Sequence, residues 1–324
     1  MKRVWMYSCA VSFIAATMAT HAADGVYPQR PIRLIIPQSP GGASDTVGRT
    51  VGQKLGERLG QQVVADNRPG ATGNVGAEIV KNANPDGYTL LLTAPNLVTS
   101  QSLYARTPFD PIRDFAPVSQ LTMAPNVFLV HPAFAARSMK ELIEVAKARP
   151  GQIDFSSSGH ASTQHLAGEL LNILTGIQLV HIPYKGGGPA LLDLMAGRVP
   201  VMVSTLPSAV PQIKAGKVRA LAVTSSKRAP AVPDLPTVAE ATGLAAYEAS
   251  TWQGFVFPAA TPKGLIDRVG GETAKVIAMN DVRERLRDQG YEPVGSTPAE
   301  FGAHIRAELT KWTKVIRTGG IKGE

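Results

Sequence analysis

The segment Ser39-Pro40-Gly41-Gly42-Ala43-Ser44-Asp45 joins a strand-like run, 32–36, to a helix-like run. A second segment, Ser156-Ser157-Ser158-Gly159-His160-Ala161-Ser162-Thr163, makes the same kind of junction more than a hundred residues later. At such junctions the N–H groups of the first helical turn lack helical partners and lie at the positive end of the helix dipole. They attract anions without a lysine or arginine. Two such loops facing one cleft predict a site that holds a carboxylate from both sides.

Both loops contain residue types suited to anion binding. Gly41 and Gly42 let the backbone approach a ligand because they lack Cβ, and Ser44 or Asp45 can cap the following helix. For Asp45 two interpretations are open: a cap alone, or a carboxylate that also meets a ligand ammonium or orders a water. In the second loop, hydroxyl and N–H groups come from Ser158, Gly159, Ala161, Ser162 and Thr163. The alternative for this loop is an ordinary serine-rich turn.

Two further segments are candidates for the same cleft. The glycine-rich turn Pro183-Tyr184-Lys185-Gly186-Gly187-Gly188-Pro189 carries one cation, Lys185, which is either an anion partner or a solvated lysine. Ser204 and Thr205 end a strand-like run in small polar side chains, so we expect them to line the cleft.

Short β-branched runs alternate with helix-like segments along almost the whole chain. This alternation predicts α/β lobes with mainly parallel sheets. The strand candidates are 32–36, 62–65, 88–93, 126–131, 153–156, 179–183, 199–204, 218–224 and 254–257. Helices are expected after Asp45, over 163–175, over 190–196, after Pro262 and after the capping-box pattern Thr297-Pro298-Ala299-Glu300.

The N-terminal segment is typical of a secretory signal peptide. Lys2 and Arg3 precede an uncharged, largely apolar run over 4–18, and Thr20-His21-Ala22 provides small residues for a cut after position 22. The apolar run is short for a bilayer span, although a membrane anchor is the alternative. We therefore expect residues 1–22 to be removed and the remaining chain to be soluble.

Cysteine content indicates the cellular compartment, and charge limits the classes of partner. The only cysteine, Cys9, lies early in the signal segment, so the mature chain is expected to lack disulfides, thiolate chemistry and a lipid anchor. An exported chain without cysteine fits a bacterial periplasm better than a eukaryotic secretory route. The net charge of +8 becomes +6 without residues 1–22, from 31 basic and 25 acidic residues. These charges form no basic block or stripe, which argues against a nucleic-acid partner.

The motifs of several enzyme classes are absent from the sequence. There is no Gly-x-Ser-x-Gly, and the glycines over 70–76 fit neither a dinucleotide fingerprint nor a phosphate-binding loop. His160 and His165 are five apart, without a cysteine or a dense carboxylate cluster, which argues against a metal site. We expect no metal, cofactor or covalent step. Ser162 and His165 as nucleophile and base of a hydrolase are the alternative to an N-cap serine followed by a first-turn histidine.

Many short motifs follow one another in a fixed order. They are Pro40-Gly41-Gly42 with Asp45, Asn67-Arg68-Pro69-Gly70, Pro85-Asp86-Gly87-Tyr88-Thr89-Leu90, Asp114-Phe115-Ala116-Pro117-Val118, Ser158-Gly159 with His165-Leu166 and Glu169, Pro183-Tyr184-Lys185-Gly186 and Leu235-Pro236-Thr237-Val238-Ala239-Glu240. In this order and spacing they resemble the Bug family, the extracytoplasmic solute receptors of tripartite tricarboxylate transporters. The resemblance covers roughly residues 28 to 316.

This resemblance implies an α/β fold of the periplasmic-binding-protein (Venus-flytrap) type, with two lobes joined by two crossover strands. It implies a lobe 1 of 26–124 and 226–324 and a lobe 2 of 125–225, with crossovers near 120–127 and 221–225. In the family, backbone N–H groups, hydroxyls and ordered water from the two loops hold a ligand carboxylate. The matching positions are Gly41, Gly42, Ser44, Asp45, Ser158, Gly159, Ala161, Ser162 and Thr163.

The chain departs from the family pattern around the far end of the ligand. Gln38 and Ser39 stand where the family usually has an aromatic residue and prolines, and Ala161 stands where a glycine is common. The remaining positions expected to influence selectivity are Ala94, Asn96, His160 and Thr205. The ligand is therefore not assumed to be that of a well-known member.

Together these features predict a monomeric periplasmic receptor that captures a small organic carboxylate, either a carboxylic acid or an amino acid. It would deliver the ligand to the membrane subunits of a tripartite tricarboxylate transporter. The alternative is a lobe pair that senses a ligand for a membrane kinase.

Overall fold

The computed structural model describes residues 27–41, 43–104 and 106–322. The expected signal segment, 1–22, lies outside these residues together with Cys9. The strands are β1 (Ile32–Ile36), β2 (Val63–Asn67), β3 (Thr89–Thr93), β4 (Phe115–Ala124), β5 (Asn126–Val130), β6 (Ile153–Ser157), β7 (Leu179–Pro183), β8 (Val201–Thr205), β9 (Arg219–Val223), β10 (Thr251–Pro258) and β11 (Glu292–Pro293). The helices are α1 (Ala43–Leu59), α2 (Asn74–Lys81), α3 (Asn96–Leu103), α4 (Met139–Ala148), α5 (Thr163–Thr175), α6 (Gly187–Met195), α7 (Leu206–Lys214), α8 (Val238–Thr242), α9 (Lys263–Ala278), α10 (Asn280–Asp288) and α11 (Pro298–Thr318).

The strands form two sheets. Sheet A has six strands in the order β11-β4-β10-β3-β1-β2, and sheet B has five in the order β7-β6-β8-β5-β9. The chain passes from sheet A to sheet B between β4 and β5, through Pro125, and returns between β9 and β10. The α/β, two-lobed fold expected from the sequence is confirmed.

Both sheets are mixed, which corrects the expectation of mainly parallel sheets. β1 pairs in parallel with β2 and β3, and β6 does so with β7 and β8. By contrast, β10 runs antiparallel to β3 and β4, and β5 runs antiparallel to β8 and β9. The antiparallel strands β5 and β10 are those that enter a sheet from the other lobe, so they are not part of a right-handed β-α-β unit.

Two strands were not among the sequence candidates. β4 contains Pro117, and proline in a strand usually marks an edge or a bulge. In the structure the pairing of β4 with β10 shifts register between Phe255 and Val256, and Pro117 lies opposite Val256. β11 has only two residues, which is too short for a recognisable pattern.

The hydrophobic core lies on both faces of the sheets. In β1, Ile32, Leu34 and Ile36 belong to one buried cluster with side chains of α1 and α9, whereas Ile35 packs in another with side chains of α2, α3 and α11. A central parallel strand covered on both faces has such a nearly continuous apolar sequence. Among the described residues, no helix combines the length and the apolar character needed to cross a bilayer.

The exact lobe boundaries, 26–124 with 226–324 and 125–225, stay a prediction. Contacts of the chain after β9 bear on the second boundary. Val223 N donates to Pro236 O at 2.9 Å, Thr237 forms a β-bridge with Val223, and α8 contacts α4 and β9. These contacts favour a boundary close to the start of β10 at Thr251.

The first residues of three helices can be compared with the start signals in the sequence. α1 begins at Ala43, so Ser44 and Asp45 lie in its first turn instead of preceding the helix. α6 begins at Gly187, which places Pro189 in the first turn, where its missing N–H costs no helical hydrogen bond. At α11 the expected capping box is present: Thr297 Oγ1 accepts from Glu300 N, and the Glu300 carboxylate accepts from Thr297 N.

Candidate ligand-binding cleft

One cavity, of about 460 Å³, is lined by residues from both lobes, and we call it the cleft. Its lining consists of Pro37, Gln38, Ser39, Ser44, Pro69, Gly70, Gly73, Ala94, Pro95, Asn96, Thr99, Ser158, Ala161, Ser162, Thr163, Gln164, Thr205, Thr251, Gln253 and Tyr291. None of these side chains is charged. The two loops that are so distant in sequence therefore open onto a single crevice. A larger depression, of about 740 Å³, follows α1 and β2, but it is lined only by residues between Gly48 and Ala65.

The buried carboxylate of Asp45 holds the first loop in shape. It accepts hydrogen bonds from Gly41 N at 2.9 Å, from Asn67 Nδ2 at 2.9 Å and from Arg49 Nε at 3.0 Å. Burial by itself disfavours the ionised carboxyl, but the hydrogen bonds from Arg49, Gly41 and Asn67 outweigh it, and the pKa of Asp45 is lowered. Asp45 does not line the cleft, so its partners support a structural role and not a contact with a ligand ammonium.

The other residues predicted in the first loop have different positions. Gly41 has φ +80°, a left-handed conformation that glycine adopts without strain, and it does not line the cleft. Gly42 lies outside the described residues. Ser44 lines the cleft from the first turn of α1, where amide groups lack intrahelical acceptors.

The second loop uses several of its own N–H groups, which corrects a sequence expectation. Gly159 N donates to Ser157 Oγ at 3.1 Å, and Ala161 N donates to His165 Nδ1 at 3.0 Å. Gly159 does not line the cleft, whereas Ala161 does. The amides of Gly159 and Ala161 therefore already have acceptors, on Ser157 before the turn and on His165 of α5.

The first turn of α5 offers better placed donors. Ser162 is the N-cap, and its Oγ accepts from His165 N at 3.2 Å. The amides of Thr163 and Gln164 precede the first intrahelical hydrogen bonds, and both residues line the cleft. Ser158, also in the lining, donates from Oγ to Gln164 Oε1 at 2.6 Å. Gln164 was absent from the sequence candidates, although it directly follows the quoted loop.

Residues after β3 and β8 complete the sequence-predicted set. Ala94 and Asn96 line the cleft, as does Thr205. Ser204 does not, because it is buried within β8 and its Oγ donates to Thr205 O at 3.3 Å. Lys185 is exposed and is not part of the lining.

Several lining residues from the C-terminal part of the chain were not among the sequence candidates. Thr251 and Gln253 lie on β10, and Gln253 Oε1 accepts a hydrogen bond from Thr122 Oγ1. Burial raises the pKa of Tyr291 to about 12, so its phenol stays protonated as a hydrogen-bond donor at neutral pH. Gln38 Oε1 is buried and has no hydrogen-bond partner within the described residues.

The rings of three histidines lie close together behind the second loop. His181 was not predicted to be near this loop, because it is distant in sequence. Ring nitrogens of His160, His165 and His181 all lie within 4.8 Å of one another. The rings of His165 and His181 are stacked, with centroids 3.6 Å apart and planes at 9°. A metal ion binds an imidazole nitrogen along its lone pair, in the ring plane, so the stacking of His165 and His181 is an unfavourable orientation for sharing one ion.

The hydrogen bonds of Ser162 and His165 do not form a nucleophile–base pair. Ser162 Oγ donates to Gly159 O at 2.8 Å and accepts from the backbone amide of His165. The His165 ring accepts from Ala161 N instead of the serine hydroxyl. The serine is thus the N-cap of α5.

The family model described as "Tripartite tricarboxylate transporter family receptor" matches residues 47–321. A UPF0065 protein in the tcbD-tcbE intergenic region of Pseudomonas sp. strain P51 is 39% identical over 307 residues, 94% of this chain and 91% of that protein. Protein BugT of Bordetella pertussis is 36% identical, over 96% of each chain.

Solved structures agree with the sequence relatives. Rpa4515 of R. palustris with adipate has a TM-score of 0.81 at 35% identity, over 92% of this chain and 100% of that one. MatC of Rhodopseudomonas palustris with bound malate has a TM-score of 0.77 at 30% identity, over 90% and 100%. The periplasmic binding protein BugD has a TM-score of 0.78 at 32% identity, over 92% and 100%. The chain therefore belongs to the TctC, or Bug, family of tripartite tricarboxylate transporter receptors, whose members are solute-binding proteins and not enzymes.

Proposed function

We propose that this protein binds one small organic carboxylate in the cleft, in the periplasm, and delivers it to the membrane subunits of a tripartite tricarboxylate transporter. One observation supports this most strongly: two β-to-α loops from distant parts of the chain line one cavity of about 460 Å³ that has no charged side chain. Helix N-termini and hydroxyls then supply the attraction for an anion. Each charge-assisted hydrogen bond contributes roughly 1.5–3 kcal/mol.

The proposed contacts with the carboxylate come from both lobes. In lobe 1 they are the first turn of α1 with Ser44, and in lobe 2 the first turn of α5 with Thr163 and Gln164. Ala94, Asn96, Thr205 and Tyr291 line the remainder and would contact the other end of the ligand. Gly41, Asp45 and Gly159 would act by shaping the loops.

The charge of the lining favours one class of carboxylate. Among the described residues, no aspartate or glutamate lines the cleft, so a ligand ammonium would have no anionic partner there and would lose its hydration. Carboxylic acids are therefore favoured over amino acids. The relatives solved with adipate and malate, at 35% and 30% identity, also make small dicarboxylic acids the first compounds to test.

Delivery requires a change that a membrane partner can recognise. Two lobes connected by two crossings can close around a ligand, and the ligand selects the closed state. We propose that the signal segment 1–22 directs export, that it is removed, and that the mature chain acts as a monomer.

Isothermal titration calorimetry of the mature chain tests the binding proposal. Adipate, malate and a panel of mono- and dicarboxylates are titrated beside uncharged amides of the same shape, such as adipamide for adipate. We expect saturable 1:1 binding of at least one acid and none of its amide. Thr163→Val should weaken binding, whereas Thr310→Val on the exposed face of α11 should not. Equal binding of acid and amide, or of no acid at all, would contradict the proposal. Uptake of the same acid by cells with and without the gene tests the transport step.

A further inference from the structure

The side chains that line the cleft differ in whether their polar hydrogens already have acceptors. On the side of lobe 2, Ser158 Oγ donates to Gln164 Oε1 at 2.6 Å, and Gln164 Nε2 donates to Asn126 Oδ1 at 2.9 Å. Thr205 Oγ1 likewise donates to Ser208 Oγ at 2.8 Å. These side chains are hydrogen-bonded within the protein, so the backbone amides at the start of α5 are the donors that lobe 2 offers to an anion.

Two buried side chains of lobe 1 carry donors that have no acceptor among the described residues. Gln253 is 3% exposed and lines the cleft. Its Oε1 accepts from Thr122 Oγ1, which directs the Nε2 group away from Thr122. Tyr291 is 6% exposed and lines the cleft as well, and its hydroxyl forms no hydrogen bond with another described residue. Since burial raises the pKa of Tyr291 to about 12, this hydroxyl is a donor at neutral pH.

The pairing of the strands brings these two donors to one part of the cleft. Gln253 of β10 pairs with Thr122 of β4. On the other side of β4, the register of β11, continued by one residue, places Tyr291 opposite Ala124. Ala124 is two residues from Thr122, so both positions belong to the same face of sheet A. β4 and β10 also lead to the two crossings, and the donors therefore lie near the connections between the lobes.

The position of Tyr291 is fixed by its backbone. Gly290 directly precedes it, and a Cβ added there would lie 3.0 Å from the Cα of Pro207 in α7, which leaves no room for a side chain. Tyr291 N donates to Leu286 O at 2.9 Å, and this bond ties the segment to α10. Tyr291 thus reaches the cleft from a short turn that contacts lobe 2.

The chemistry of the two donors favours a carboxylate as their partner. A carboxylate offers two acceptor oxygens, and hydrogen bonds to an ionised acceptor are about twice as strong as neutral ones. A hydroxyl or an amide offers a single uncharged oxygen. An ammonium would face the donors with further donors, and an apolar group would leave the Gln253 amide and the Tyr291 hydroxyl buried without partners.

We propose, resting on the function proposed above, that Gln253 Nε2 and the Tyr291 hydroxyl bind a second carboxylate, so that the protein selects dicarboxylates over monocarboxylates. The first carboxylate is held at the starts of α1 and α5, and the second beside β4. Uncharged donors serve both ends of the ligand, which agrees with a lining that contains no arginine or lysine among the described residues.

Calorimetry with diacids and their monoamides tests the preference for a second carboxylate. Succinate, glutarate and adipate are each titrated at pH ~7.5, where both carboxyls are ionised, beside the monoamide of the same size. We expect at least one diacid to bind at least tenfold more tightly than its monoamide. Equal affinities within every pair would overturn the inference and leave the proposed function standing. Binding of none of these acids would overturn both.

Two variants test the residues themselves. Gln253→Glu keeps the side-chain size and the oxygen that accepts from Thr122, but it replaces the Nε2 group by an anionic oxygen. It should weaken the diacid at least a hundredfold and the monoamide about threefold or less, so that the monoamide becomes the tighter ligand. Tyr291→Phe removes only the hydroxyl and should weaken the diacid about tenfold, and the monoamide less.

Gln178→Glu is the matched control for the added charge, because Gln178 is exposed and lies outside the cleft lining. It should change neither affinity by more than about twofold. The inference is overturned if the diacid preference survives both cleft variants, or if Gln178→Glu weakens the diacid as strongly as Gln253→Glu does. Circular dichroism shows whether each variant is folded. If Gln253→Glu does not fold, Tyr291→Phe decides alone: an unchanged preference for the diacid would overturn the inference.

Discussion

Gln164 Nε2 donates to Asn126 Oδ1 at 2.9 Å, which links the start of α5 at the cleft to the first residue of β5. Asn126 is fully buried. Its backbone N donates to Thr224 Oγ1 at 2.8 Å, and its Nδ2 donates to Ala249 O at 2.7 Å. Asn126 thus connects the second loop to both crossings of the chain, which are the segments that bend in the proposed closure of the lobes.

We predict that Asn126→Leu lowers the free energy of unfolding by about 2–4 kcal/mol, because it leaves Gln164 Nε2 buried without its partner and removes one of the two hydrogen bonds that Ala249 O accepts. Urea denaturation followed by circular dichroism measures this change. Asn82→Ala, at an exposed helix end, is the control and should change the value by about 0.5 kcal/mol or less. A loss equally small for Asn126→Leu would show that the link is not important for stability.

Gly73 should tolerate no side chain at the cleft. Its φ is +94°, and an added Cβ would overlap with Asn96 Nδ2. We predict that Gly73→Ala destabilises the protein by about 1 kcal/mol or more and weakens carboxylate binding about tenfold, since Asn96 must move. Gly271→Ala on α9, where an added Cβ meets nothing within 4 Å, should instead stabilise by about 0.5–1 kcal/mol. Equal effects of the two substitutions in thermal unfolding and calorimetry would contradict this account.

Asp114 should contribute a pH-dependent part of the stability. Burial disfavours its ionised form, but hydrogen bonds from the Asp110 amide, Arg113 and Lys81 outweigh this and lower its pKa to about 2. Because the folded pKa lies below the unfolded value of ~3.9, the contribution is full above pH ~4 and is lost as pH falls towards ~2. We predict that the difference in unfolding free energy between wild type and Asp114→Asn, about 1–2 kcal/mol at pH 7, shrinks over this window.

Denaturation at several pH values measures the Asp114 contribution. Asp288→Asn, an exposed residue at the end of α10, is the control for removing one negative charge. A wild-type advantage over Asp114→Asn that stays constant down to pH ~2 would contradict the assigned cause.

Lys311 should stabilise the contact of α11 with the chain just before β10. Its Nζ lies 2.7 Å from Glu248 Oε2 and 2.5 Å from Glu308 Oε1, and both Trp252 and Trp312 donate to Glu308 Oε2. We predict that Lys311→Met lowers the unfolding free energy by about 2–3 kcal/mol at pH 7, since two carboxylates lose their cation. Lys311 lowers the pKa of Glu248 against the effect of burial, so the part of this loss that comes from Glu248 should shrink as the pH falls and that carboxyl is protonated.

Tryptophan fluorescence reports on the Lys311 variant directly. The third tryptophan of the chain, Trp5, lies in the proposed signal segment 1–22, so emission from the chain without this segment comes from Trp252 and Trp312. Lys314→Met, on an exposed position of the same helix, is the control. Identical stability of the two variants would show that Glu248 and Glu308 do not depend on Lys311.

The fold was largely predictable because its signals are local. Runs such as Ile32–Ile36 and Leu179–Pro183, and the capping box at Thr297, depend on neighbouring residues alone. β4 was missed because it contains Pro117, which lies next to a bulge of β4 in its pairing with β10. The mixed pairing was missed because strand direction at a crossing is set by the path of the whole chain.

The candidate site was predictable only where it consists of a loop and a helix start. Ser44, Thr163 and Asn96 follow this rule and line the cleft. Tyr291, which lines the cleft, and His181, which packs behind the second loop, do not follow this rule. Tertiary packing brings each of them near the loops, and no spacing along the sequence relates them to the loops. The hydrogen bond of Ala161 with His165 depends on a left-handed conformation of Ala161. Such a conformation is predicted from sequence mainly for glycine, so it was not expected at an alanine.

The location of the bound acid tests the central claim most directly. In a titration of the 15N-labelled mature chain with the tightest-binding carboxylate, the account predicts the largest amide shift changes at Ser44, Thr163 and Gln164, at one common saturation point. Changes confined to Gln53 and Gln61, in the depression along α1 and β2, with the amides at the start of α5 unmoved, would contradict it.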